Sequence, residues 1–82
     1  MPYIEQDRRA ALEYDGAGPA SVGELNFIIT RLLREYALRK GTIYQTHNDI
    51  IGVLECVKQE WYRRCTAPYE DFKMNENGDV YT

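Results

Sequence analysis

The sequence predicts an all-α chain built on an antiparallel helical hairpin. Three observations carry this. Apolar residues recur at Leu25, Ile28, Ile29, Leu32 and Tyr36, and again at Ile50, Val53, Leu54, Val57 and Trp61. Both sets have the spacing of one face of a helix. The connection between them is short, which turns the second helix back along the first. Apolar side chains make up 44% of the 82 residues, enough for a core and too many for a disordered chain.

The first element is read as a short helix at Glu5–Tyr14, with good helix formers but a thin apolar stripe. Asp15–Ala20, DGAGPA, is a linker with two glycines and a proline. Ser21 and Glu24 form a capping box that opens a long helix over Val22–Lys40. Arg34, Arg39 and Lys40 suit its negative end, and Gly41 closes it. Thr42–Gln45 is a connection, and Thr46 is the expected N-cap of a second long helix at His47–Cys65. Pro68 disfavours helix through Ala67. Tyr69–Asn75 is expected to add one helical turn, Asn77-Gly78 is a turn signal, and Asp79–Thr82 is a tail that pairs as a short strand or stays loose. One domain covers 1–82, divided into an N-terminal helix and linker at 1–20, the hairpin at 21–66 and a turn and tail at 67–82.

Phe27, Leu33, Leu38 and Ile51 lie off the main stripes. This surplus apolar face predicts a homo-oligomer; the competing reading covers it with the N-terminal helix and the tail. Seven tyrosines, a high count, suit interfaces and pockets as well as core edges. Cys56 and Cys65 fall on opposite sides of one helix, about 13 Å apart along its axis. They are expected to be free, buried thiols.

Net charge is −3, but it is segregated. Residues 1–30 carry two basic against five acidic side chains, residues 31–64 seven against four, and residues 65–82 one against four. Two acidic ends flank a basic centre. Either the ends fold over the centre, or the centre holds a local anion site. The acidic ends repel a phosphate backbone, which argues against nucleic acid as a partner. No apolar run approaches a membrane span, and no leader is evident. A cytoplasmic protein is expected.

No motif of a known enzyme class occurs, and no catalytic residue is assigned. Gly16, Gly18 and Gly23 do not follow a strand, so they make no phosphate loop. His47 is the only histidine, nine positions from Cys56, and that fits no zinc spacing. No metal or cofactor is expected. A Cys–His pair forms in space, so spacing leaves it open, and His47 is read as a surface or capping residue. Glu55 and Glu60 are five apart, roughly 140° round the helix, and do not face one cleft. A polar strip runs through Asn48, Gly52, Glu55, Gln59 and Tyr62. Gly52 within it costs about 1 kcal/mol relative to alanine, which close helix packing or space for a ligand would offset. Asn26, Thr30 and Arg34, extended by Glu24 and Arg31, form a comparable side on the first long helix. Arginine offers a planar fork to phosphate and tyrosine stacks on a base. On that chemistry Arg31, Arg34, Asn48, Tyr62, Arg63 and Arg64 are the candidate ligand-binding residues.

The segments MPYI, GELNFIITRLL, YQTHNDIIGVLE, YRR, APYEDFK and ENGDVY resemble a family of short proteins of unknown function found in tailed phages and bacteria. All but the first span most of residues 23–81; Asp7–Val22 adds nothing to the match. The resemblance implies such an origin and no activity. The expected function is a non-enzymatic, homo-oligomeric binder of a small anionic ligand such as a signalling nucleotide. The alternative is a protein-interaction module that inhibits or scaffolds a host protein.

Overall fold

The computed structural model describes residues 2–81; Met1 and Thr82, which belong to the MPYI segment and the tail, lie outside the described residues. All regular structure among the described residues is helical. The elements are α1 (Gln6–Tyr14), α2 (Val22–Lys40), α3 (Tyr44–Trp61), a π-helical turn (Tyr62–Thr66) and α4 (Ala67–Asn77). The chain divides into two compact units, residues 1–47 and 48–82.

In the first unit α1 packs on α2. Glu5 is extended and serves as the N-cap of α1, so the helix begins one residue later than expected. The α2 bounds match the sequence reading. Ser21 Oγ accepts the Glu24 backbone N–H at 3.1 Å, the first half of the capping box. The Glu24 carboxylate reaches back to the Ala20 N–H at 3.0 Å, one residue beyond its usual target. Gly41 ends α2 at φ +88°, where its N–H bonds the Ala37 carbonyl, a conformation that excludes most side chains.

Phe27 was expected on the surplus face, yet it is the buried hydrophobic residue of this unit, 6% exposed. Of the main stripe, Leu25, Ile29, Leu32 and Tyr36 are exposed and Ile28 is half-buried. The reason is α1. It lies over the Phe27 side of α2, so the side chains one position off the stripe gain the cover. Arg9 stacks its guanidinium over the Phe27 ring, 5.6 Å from the centroid, and donates from Nε to the Ile4 carbonyl at 3.0 Å.

The second long helix starts at Tyr44, three residues before the expected start. Thr46 is not its cap but a buried first-turn residue, 4% exposed. The Ile43 carbonyl accepts the His47 N–H, so helical bonding is already under way before Thr46.

Pro68 does not break the chain's helical course, contrary to the sequence reading. Trp61, Thr66 and Ala67 all keep right-handed helical angles, and α3, the π-turn and α4 run on without a gap. The Ala67 N–H bonds the Tyr62 carbonyl five residues back. That wider turn eases the clash between a proline ring and the preceding turn, and Pro68 sits where α4 begins. The expected single turn at 69–75 is therefore a full helix over Ala67–Asn77, closed by Gly78 at φ +94°. The tail forms no strand among the described residues; the Tyr81 N–H bonds Asp79 Oδ1 at 2.8 Å in a local turn.

From residue 48 onward the second unit is a single helical rod and a tail, and none of its described residues is buried. Cys56 and Cys65 are accordingly exposed free thiols, not buried ones. A Cβ added at Gly52 would meet nothing within 4 Å, so no close packing explains that glycine.

Removing the Phe27 ring deletes the centre of the α1–α2 contact. Phe27→Ala is expected to cost about 3–5 kcal/mol. It should leave the α1 amides exchanging with solvent at near-coil rates while α2 amides keep more protection, read by hydrogen-exchange NMR. Ser21→Ala should cost about 1 kcal/mol through the lost cap, read from thermal denaturation by circular dichroism.

Candidate functional site

The six residues singled out by chemistry divide between the two units. Arg31 and Arg34 belong to the first, Asn48, Tyr62, Arg63 and Arg64 to the second.

Arg31 lies in a shallow groove of about 300 Å³ between the end of α1 and the middle of α2, beside Leu12, Tyr14, Phe27 and Leu32. Its Nε contacts Glu13 Oε1 at 2.7 Å. Glu35 also lines the groove, so two carboxylates face one guanidinium there. An anion entering the groove would displace Glu13 and meet Glu35, which makes this groove a poor phosphate site. Arg34 is exposed and makes no ion pair or hydrogen bond among the described residues.

In the second unit the π-turn brings Tyr62, Arg63 and Arg64 together as consecutive residues. Two of the three are engaged locally. The Tyr62 hydroxyl donates to Glu70 Oε1 at 2.6 Å, across the π-turn. That bond, and then the Glu70 charge, raises the Tyr62 phenol above its ordinary value of 10.0. Arg63 Nη2 donates to both carboxylate oxygens of Glu60 at 3.1 Å. Arg64 is exposed and without a partner among the described residues. Asn48 is exposed at the start of the unit.

The polar strips are largely self-satisfied. Gln59 donates to Glu55 at 3.2 Å, Lys58 pairs with Glu55 at 3.2 Å, and the Thr30 hydroxyl donates to Asn26 at 3.0 Å. These are ordinary neighbours one turn apart on a helix surface. The hydrogen bond from Gln59, followed by that from Lys58, holds the Glu55 carboxyl below its ordinary value of 4.5. No group of three or more candidate metal ligands occurs among the described residues, and no helix there is long and apolar enough to cross a membrane.

The sequence reading missed the most elaborate polar contact, which joins α1 to α2. Arg8 meets Glu24 with a two-pronged contact, Nη2 to Oε1 at 2.6 Å and Nε to Oε2 at 2.9 Å. The Glu24 carboxylate thus serves two partners, the Ala20 N–H of the linker and the Arg8 guanidinium, while its own backbone N–H donates to Ser21 Oγ. The Arg8 hydrogen bond, then that from Ala20, pulls the Glu24 carboxyl below its ordinary value of 4.5. The available signal was the Arg8-Arg9 pair on a helix too thin in apolar residues to dock by burial alone.

A carboxyl depressed by folding stabilises at pH above its ordinary value and loses that contribution as pH falls through its folded value. The α1–α2 contact should therefore hold from neutral pH down to about 4.5 and loosen below it, seen as faster exchange of α1 amides. Glu24→Gln should remove most of that acid dependence. Glu70→Gln should bring the Tyr62 phenol down towards its ordinary value, read from the Tyr62 ring resonances in a pH titration by NMR.

The family model described as Domain of unknown function (DUF6899) matches residues 1–80, and the chain belongs to that family. The match includes the 7–22 stretch that the quoted segments left out. No curated protein and no solved structure matches the chain.

Proposed function

We propose that this member of the family is a non-enzymatic helical protein that works by assembly, pairing with copies of itself and presenting a binding surface to a partner. One observation carries the reading: the second unit is one continuous helical rod with no buried residue among those described, while Ile51, Val53, Val57, Trp61, Tyr69 and Phe72 stand exposed along it. A single helix has no second surface on which to bury its stripe, and isolated helices are only marginally stable in water. Apolar surface on that scale is characteristic of interaction sites. The antiparallel hairpin expected from the short connection at Gly41–Ile43 belongs to the same proposal. An inhibitory or scaffolding role toward a host protein, a phage or bacterial source and a cytoplasmic setting belong to the same proposal.

A second reading rests on a separate observation. Arg34, Arg39 and Arg64 make no side-chain ion pair, hydrogen bond or ring contact among the described residues, whereas Arg8, Arg31, Arg63, Lys58 and Lys73 each have an acidic partner. Unpaired guanidinium groups suit a small anionic ligand such as a nucleotide, held where subunits meet.

Light scattering across a concentration series tests the first reading: a mass above that of one chain is expected, and one chain at every concentration refutes self-assembly. Calorimetric titration with linear and cyclic nucleotides tests the second. Heat that disappears in Arg34→Ala or Arg64→Ala supports it, and no heat with any nucleotide refutes it.

A further inference from the structure

The π-turn corrects the phase of an apolar seam. From Ile50 the seam runs through Leu54, Val57 and Trp61, then Cys65, Tyr69 and Phe72. The steps are four, three, four, four, four and three residues. Three successive steps of four, Val57 to Tyr69, would carry a regular α-helix about 120° past alignment and put Tyr69 and Phe72 on another side. A π-turn takes up one extra residue, about 100° of rotation, and leaves only about 20°. The π-turn at Tyr62–Thr66 lies inside those steps. One face of the rod is thus apolar on both sides of it. Trp61 is 66% exposed and Phe72 59%, with Tyr69 and Cys65 exposed between them.

The charges beside the seam select its occupant. Glu55, Lys58, Glu70 and Lys73 each follow a seam residue by one position, so all four lie along the same edge. Lys73 Nζ sits 5.9 Å from the ring centroids of both Tyr69 and Phe72, and the Tyr62–Glu70 hydrogen bond runs along that edge across the π-turn. The order is acid, base, acid, base. In antiparallel pairing this edge meets its own twin, read backwards as base, acid, base, acid.

We infer that the seam is a docking surface for a second copy of this chain, antiparallel, with the two-fold axis through the π-turns. This rests on the self-assembly reading above. In this register Leu54 meets Phe72 of the other copy, Val57 meets its Tyr69, and Trp61 meets its Cys65. Glu55 faces Lys73 and Lys58 faces Glu70, each twice. The existing Lys58–Glu55 and Lys73–Glu76 pairs are exposed surface pairs one turn apart and exchange readily for these contacts. Parallel pairing brings the edge to the opposite one instead, where Glu70 meets Asp71. On the other edge Arg64, which precedes Cys65, faces Glu60 of the other copy, which precedes Trp61, again twice.

Lys58 and Glu70 are twelve residues apart, about 18 Å along one helix, so they cannot pair within a chain. Sedimentation equilibrium is run on the full chain, Lys58→Glu, Glu70→Lys and the double exchange. Each single change is expected to weaken the dimer about three- to tenfold, and the double exchange to restore it. Circular dichroism checks that each variant remains helical. A dimer indifferent to the single changes, or not rescued by the exchange, overturns this register and leaves self-assembly standing. A monomer at every concentration removes self-assembly and this inference with it. A Cys56→Ser chain under mild oxidant gives the orientation. Antiparallel pairing keeps the two Cys65 residues beyond disulfide reach, whereas rapid Cys65 cross-linking means a parallel pair and overturns the proposal.

Discussion

A helix cannot bury its own apolar stripe; every stripe needs a second surface. This constraint organises the chain. Where α1 is available, the α2 side chain beneath it becomes the buried Phe27, and a set of ion pairs forms around it. Where no second element belongs to the unit, as from residue 48 onward, no side chain is buried and two cysteines stand exposed. The difference lies in what covers each helix, since both long helices carry stripes of similar quality.

The contact that does exist is polar at its rim and apolar at one point. The α1 helix brings few hydrophobic residues, so its attachment draws on charge. Arg8 grips Glu24, Arg9 covers Phe27, and Glu13 holds Arg31. Glu24 also helps cap α2, so the start of that helix and the docking of α1 share one carboxylate. The basic centre noted in the sequence is thereby partly neutralised, Arg31 by α1 and Arg63 by its own neighbour Glu60.

Much of the fold was legible in the sequence because it is local. The bounds of α2 follow from Ser21, Glu24 and Gly41, whose roles depend only on backbone geometry within one turn. What failed was non-local or depended on a rare backbone state. Which side of α2 would be covered depended on where α1 lands, and nothing in the Leu25–Tyr36 periodicity says that. Pro68 reads as a stop because proline normally is one; the π-turn that lets it begin α4 leaves no mark in composition, only a run of four-residue steps. The candidate ligand residues were chosen by type, and type does not reveal that Tyr62, Arg63 and Arg31 are already engaged by Glu70, Glu60 and Glu13.

The wide turn also leaves a gap in the backbone ladder. The Ala67 N–H is spent on the Tyr62 carbonyl, and the next residue, Pro68, has no N–H to pass to Arg63. The ladder thus lacks, just after the π-turn, a donor that any other residue would supply. A partner lying along this rod would have to leave that flank hydrated or bring a donor of its own to it.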